Sequence, residues 1–318
     1  MEYRRVGTSG LKVSEIAYGS WVTFGNQVEL DQAKELVKKA LELGINYIDT
    51  ADIYNRGQAE EFLGTVLPSL NRRQYVLATK AFWPMTDAPT DRGLSRKHII
   101  DSLHGSLERL KLSYVDLFYC HRYDPETPLE ETLEAIEDLI RQGKILYWGT
   151  SEWTASQIAQ AYSICVARGW HRPVINQPVY SLAHRGIEKE ILPTCVSLGM
   201  GTANFSPLAQ GILTGKYSGG KIPQGSRGGD EKLGMFMKTN LSNAKLLKAV
   251  DELKPIAESY GLTQGQLALA WILNNPGISS VIMGATSVKQ LEENVKASGI
   301  KLKERDVKKI EKLFPVGE

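Results

Sequence analysis

The chain has 318 residues, 42% of them apolar and 23% charged, and its net charge is +2. That near balance excludes a dedicated nucleic-acid or acidic-membrane binder, which would carry a basic patch or tail. Three cysteines (Cys120, Cys165 and Cys195), odd in number and without a C-x-x-C spacing, argue against a disulfide framework and for a reducing, cytoplasmic setting.

From the N-terminus, residues 1–7 hold no apolar signal core. No apolar run approaches the roughly 20 residues of a membrane span, so membrane insertion is not expected. Residues 3–13, turning at Ser9 and Gly10, read as a short hairpin that could plug one end of a barrel. Short β-branched runs then recur at 16–19, 46–50, 76–80, 115–120, 145–151, 174–177, 201–205 and 281–284. Amphipathic helical patterns lie between them. Over 31–43, Ala33, Leu36, Val37, Ala40 and Leu41 share one face, and Gly44 stands where a left-handed C-terminal residue is expected. Over 95–110, Ser95 is placed to cap a helix carrying Ile99, Leu103, Leu107 and Leu110.

Repeated strand–helix units imply parallel strands with right-handed crossovers. Eight of them suggest closure, and Gly19-Ser20-Trp21 is not the G-x-G-x-x-G of an open dinucleotide-binding sheet. The expected fold is α/β, a (β/α)8 TIM barrel with an N-terminal β-hairpin and two extra helical segments at 242–260 and 304–314. Residues 1–318 are expected to form one domain, since such barrels run to about 250 residues or more. The Gly-rich stretch 210–240, carrying Lys216, Lys221 and Arg227, reads as a lid or binding loop.

Active sites of such barrels sit at the C-terminal strand ends. Three neighbouring runs end in Asp49, Lys80 and His121, and Tyr54 follows Asp49 in the next loop. Each alone has a plainer reading, as a turn cap, a paired cation, a structural hydrogen-bonder or a packing ring. Together they suit proton-coupled hydride transfer to a carbonyl. Tyr54 would give the proton as general acid, Lys80 would lower its pKa, Asp49 would keep Lys80 charged, and His121 would hold the carbonyl oxygen. Trp83 and Trp153 lie just past two strands, either as pocket walls or as loop packing. No metal site is assigned.

At these residues the sequence resembles the aldo-keto reductase superfamily along essentially its whole length. The stretch Gly44-Ile45-Asn46-Tyr47-Ile48-Asp49-Thr50-Ala51-Asp52-Ile53-Tyr54 is similar to that family's signature, and its Asp, Tyr, Lys and His tetrad falls on Asp49, Tyr54, Lys80 and His121. Residues 93–100, 106–110, 147–151 and 206–209 look like the branch that contains the β subunits of voltage-gated potassium channels. That branch carries Asn where this chain has His121, which favours an enzyme here. The resemblance implies a soluble NADPH/NADP+-dependent reductase of small aldehydes or ketones, either monomeric or homo-oligomeric. It assigns cofactor contacts to Ser20, Trp21, Gln27, Asp49, Ser151, Gln177, Phe205, Ser206, Leu208 and Gly211. It extends them to Lys216, Arg227, Gly284, Thr286, Gln290, Glu293 and Asn294. A helix N-terminus after residue 287 would face a phosphate. Many relatives place Arg where Gln290 stands, so selectivity for the 2′-phosphate falls on Thr286, Gln290, Lys216 and Arg227. Two other readings stand beside this one: an NADP-binding channel accessory or redox sensor with little turnover, and a Schiff-base enzyme using Lys80.

Overall fold

The computed structural model describes residues 1–21, 23–24, 27–224, 226–229 and 234–316. The hairpin is β1 (Tyr3–Arg5) and β2 (Lys12–Ser14), antiparallel with Arg4 opposite Val13. The strands that follow are β3 (Ile16–Gly19), β4 (Tyr47–Asp49), β5 (Val76–Ala81), β6 (Val115–Cys120), β7 (Ile145–Ser151), β8 (Ile175–Gln177), β9 (Gly201–Asn204) and β10 (Ile278–Met283). They form a closed parallel barrel in chain order, with β10 pairing back onto β3.

The helices are α1 (Leu30–Glu42), α2 (Gln58–Val66), α3 (Arg96–Leu110), α4 (Leu129–Arg141), α5 (Ala155–Arg168), α6 (Ile191–Ser197), α7 (Lys238–Leu241), α8 (Ala244–Glu252), α9 (Lys254–Glu258), α10 (Gln264–Leu273), α11 (Val288–Asn294) and α12 (Glu304–Leu313). In α1 the residues at helical spacing, Ala33, Leu36, Val37 and Ala40, are the buried ones. Each buried Leu or Val contributes about 1.5–3 kcal/mol relative to exposure. Gly44 follows with φ 83°, which stops the helix. Ser95 caps α3 by accepting from the His98 amide at 3.3 Å.

Several boundaries move by a residue or so, and three differences have a clear physical cause. The extra segment at 242–260 is two helices, because Pro255 in the first turn of α9 cannot continue the hydrogen bonding of α8. β10 begins at Ile278, three residues earlier than the sequence pattern suggests. Its polar opening is accommodated because Ser279 and Ser280 donate to the Arg5 and Ser14 carbonyls of the hairpin. β9 ends at Asn204, so Phe205 lies just beyond it, held by a bridge to Val179.

The barrel interior holds a core of its own. Val6 and Val13 from the hairpin region close its lower end against Ala17, Tyr47, Val76 and Leu117. Higher up, Tyr47 Oη and Tyr119 Oη are 2.7 Å apart. Gly149 makes room for that pair, since a Cβ there would stand 3.0 Å from the Tyr119 ring and 2.4 Å from the Ile175 carbonyl oxygen. Side chains, not solvent, therefore fill the barrel up to its C-terminal rim.

Candidate active site

Strand periodicity delivers the polar residues to this rim. Alternate residues of a strand face the same way. Tyr47 leads to Asp49, Val76 and Ala78 lead to Lys80, and Leu117 and Tyr119 lead to His121. The apolar members of each series belong to the interior core. Their last members rise above the tyrosine layer on three adjacent strands.

Lys80 is completely buried. Its Nζ donates to Asp49 Oδ1 at 2.6 Å, to the Thr50 carbonyl at 2.7 Å and to Tyr54 Oη at 3.0 Å. An ammonium has three donors, and all are used. Because Lys80 gives its hydrogen to the phenol oxygen, the phenol's own hydrogen must point elsewhere. The second carboxylate oxygen of Asp49 accepts from Gln177 Nε2 at 2.8 Å, across the barrel.

A tight loop places Tyr54. Its amide donates to the Ala51 carbonyl at 3.2 Å, and Asn55, Arg56 and Gly57 follow with positive φ. Gly57 (φ 88°) is packed so closely that a Cβ would lie 2.8 Å from Arg109 Cδ. Arg109 is held in turn by the buried Glu60, whose other oxygen takes the Thr79 hydroxyl at 2.5 Å. Beside Glu60, Asp52 is buried with Oδ2 unpartnered among the described residues. Burial and the Glu60 carboxylate push its carboxyl up to about 8.

Burial raises the Tyr54 phenol above its ordinary range, and the Asp49 charge adds to this. Lys80 works in the opposite direction without prevailing, so the expected net lowering is corrected. The phenol is therefore protonated at neutral pH. Burial pulls Lys80 down, but Asp49 and Tyr54 outweigh it and hold the ammonium above its usual range. His121 is held well below its ordinary value by burial and then by Lys80 and Arg122, so the imidazole is neutral. Its ring meets Tyr54 edge-on at 5.9 Å between centroids, and its Nδ1 has no partner among the described residues.

The remaining predicted residues occupy the rest of the rim. Just past β3, the Ser20 amide donates to the Asp49 carbonyl at 2.9 Å, and partly exposed Trp21 follows. Gln27 is exposed on the following turn. On β7, the Ser151 hydroxyl donates to the Gln177 carbonyl of β8 at 2.9 Å. After β9, Phe205 and Ser206 are partly exposed, and Ser206, Ala209, Gln210 and Gly211 all have positive φ. This folds the loop around Leu208 and brings Lys216 back against Gly211, where a Cβ would stand 3.1 Å from Nζ. The Arg227 side chain lies outside the described residues. After β10, Gly284, Gln290 and Glu293 are exposed and Asn294 is partly so. Gln290 Oε1 accepts from the Thr286 amide at 2.7 Å, and Ser287 already caps α11 by accepting from the Gln290 amide. The tetrad thus spans β4 to β6, and the proposed cofactor residues spread over β7, β8, β9, β10 and β3.

The model of the aldo/keto reductase family matches residues 15–314. The chain belongs to the aldo/keto reductase family. Among its curated relatives is a protein of Oryza sativa subsp. japonica named a probable voltage-gated potassium channel subunit beta. It is 46% identical over 304 residues, which covers 93% of this chain and 91% of the relative. A protein of Arabidopsis thaliana with the same name is 44% identical, with the same coverage of both chains. A putative voltage-gated potassium channel subunit beta of Schizosaccharomyces pombe is 43% identical over 320 residues, covering 98% of this chain and 93% of the relative.

Within this aldo/keto reductase the two candidate tryptophans part ways. Trp83 is partly exposed at the mouth, its ring 6.4 Å from that of His121. Trp153 is wholly buried against Tyr123 and serves packing. Sequence reasoning overlooked the Thr50 carbonyl, a backbone acceptor that no residue type announces. It also overlooked Arg122, which directly follows His121 and bonds its carbonyl at 2.5 Å. Position was the available signal, since Arg122 is the next residue past a rim histidine. A cavity of about 400 Å³ at the opposite end, lined by Tyr147, Trp170 and Arg172 among others, holds none of these residues.

Proposed function

We propose that this aldo/keto reductase reduces aldehydes or ketones to alcohols with NADPH, with Tyr54 as the proton donor. The observation that carries the reading is the saturated Lys80 ammonium. With three acceptors in place, it donates into Tyr54 Oη and leaves the phenol hydrogen free to be given away.

When bound, a reduced nicotinamide would supply hydride to the carbonyl carbon. Negative charge then grows on the carbonyl oxygen, and Tyr54 donates its proton there. Lys80, kept cationic by Asp49, stabilises the phenolate left behind. Neutral His121 offers a ring N–H to the same oxygen without competing as an acid. The donor set around the rim suits a dinucleotide. Phe205 provides an aromatic face, Ser151 and Gln177 provide amide partners, and the folded loop at Gly211 presents the Lys216 cation to phosphate. Lys216, Thr286 and Gln290, with Arg227, are the residues proposed to favour NADPH over NADH. The test is cofactor oxidation with NADPH and with NADH over a panel of aldehydes and ketones. NADPH-dependent reduction is expected; its absence across the panel rejects the reading.

The names of the relatives favour a second reading, a cofactor-binding channel accessory with little turnover. Stable capture of a potassium-channel cytoplasmic domain, together with negligible reduction, would select it.

A further inference from the structure

The rim carries a cation that the proposed chemistry leaves unused. Arg122 follows His121, and its guanidinium bonds the His121 carbonyl and sits 5.8 Å from the centroid of the Trp83 ring. Trp83 in turn stands edge-on to His121, which stands edge-on to Tyr54. The guanidinium is therefore next to the place where a carbonyl must lie to reach Tyr54 and His121. It is partly buried, and no carboxylate among the described residues pairs with it. The two charged members of the tetrad, Asp49 and Lys80, pair with each other. The Arg122 guanidinium therefore stands as a cation that the tetrad does not neutralise.

That charge is badly placed for the cofactor. β6, which ends beside Arg122, lies opposite β10 in the closed barrel, and the phosphate-facing candidates follow β9 and β10. The field of Arg122 instead reaches Tyr54 and His121, lowering the proton affinity of each. A guanidinium offers five N–H donors in a planar fork that matches a carboxylate. One nitrogen is engaged with the His121 carbonyl, which fixes the fork and leaves other donors for a ligand.

We propose that Arg122 makes this site selective for carbonyl substrates bearing a carboxylate a few bonds from the reacting carbon, with Trp83 covering the connecting segment. This rests on the reductase reading of the same site.

The experiment compares 4-carboxybenzaldehyde with its neutral methyl ester as substrates of the wild type, Arg122→Met and Arg122→Lys, each with saturating NADPH. In parallel, calorimetry measures 4-(hydroxymethyl)benzoate and its methyl ester binding to the same proteins in excess NADP+. The wild type is expected to prefer the acid in kcat/KM. Arg122→Met should cut the acid-to-ester ratio by roughly tenfold to a hundredfold, the scale of one charge-assisted hydrogen-bonded contact, and Arg122→Lys should keep part of it. A merely structural role would lower both substrates alike and leave the ratio unmoved, which overturns the inference. Equal wild-type affinity for the acid and ester alcohols also overturns it. Should neither aldehyde be reduced by any protein, the reductase reading fails, and the binding comparison still decides for or against Arg122 as a carboxylate anchor.

Discussion

Lys80 Nζ lies 3.0 Å from Tyr54 Oη, close enough that the ammonium must donate to the phenol oxygen. The same nitrogen sits 4.7 Å from the centroid of the Tyr54 ring, so the cation and the phenol are locked as a unit. Asp49 closes the unit from the other side as a fully buried ion pair. Lys80→Met leaves the Asp49 carboxylate buried beside an apolar chain. Removing one partner of a buried pair costs about 3–5 kcal/mol, so the denaturation midpoint should fall markedly. Adding Asp49→Asn removes the stranded charge and should recover part of the loss. A double variant as unstable as Lys80→Met alone would contradict the pairing.

The acid pair behind Tyr54 gives stability a pH dependence of a defined sign. In the folded chain the Asp52 carboxyl is pushed up to about 8. In an unfolded chain it titrates near 3.9. Between these values the native state holds a proton that the unfolded state has released. Stability therefore falls as pH rises from about 4 to about 8 and levels beyond. Asp52→Asn removes this slope. Melting temperatures across that range should show the variant near the wild type at the acid end and several degrees above it at the alkaline end. Parallel curves would refute the assignment.

Gln177 holds Asp49 from across the barrel, through a bond that only closure creates. Gln177→Leu should leave one carboxylate oxygen unpartnered, at a cost of about 1–3 kcal/mol. If Gln177 also contacts the nicotinamide, KM for NADPH should rise while the wild-type ratio between aldehydes is kept. Calorimetric titration with NADP+ checks the binding part directly.

Cofactor choice should respond to Lys216 and Gln290. Lys216 is exposed, lies against Gly211 and makes no ion pair among the described residues. Lys216→Ala should weaken NADPH about tenfold relative to NADH, the scale of one lost charge-assisted contact. Gln290→Arg should act in the opposite direction, although it gives up the bonds to Thr286. Unchanged NADPH-to-NADH ratios in both variants would move the selectivity elsewhere.

The barrel was legible because short β-branched runs recur eight times between amphipathic helical patterns, as strands covered on both faces do. Asp49, Lys80 and His121 end three neighbouring runs, so their convergence at the rim could be read from position alone. Tyr54 follows no period; its position just past Asp49 marked it as a candidate, but the loop that aims it depends on Gly57, Arg109 and Glu60, which only the fold brings together. The direction of its proton affinity was misread because a neighbouring charge is visible in sequence whereas depth of burial is not. Trp83 and Trp153 could not be separated for the same reason: both are loop tryptophans, and only the fold exposes one and buries the other. The early start of β10 was hidden because serines satisfied by the hairpin look like loop residues.

The central claim is that Tyr54 supplies the proton. Its most direct test is single-turnover reduction of an aldehyde by preformed NADPH complexes of the wild type and of Tyr54→Phe. The phenylalanine ring keeps the packing against His121 and the Lys80 cation while removing the hydroxyl. The account predicts unchanged NADPH binding and a rate lowered by roughly 10²–10⁴, the usual contribution of a positioned general acid. A Tyr54→Phe protein that binds NADPH and reduces the aldehyde at the wild-type rate would contradict it.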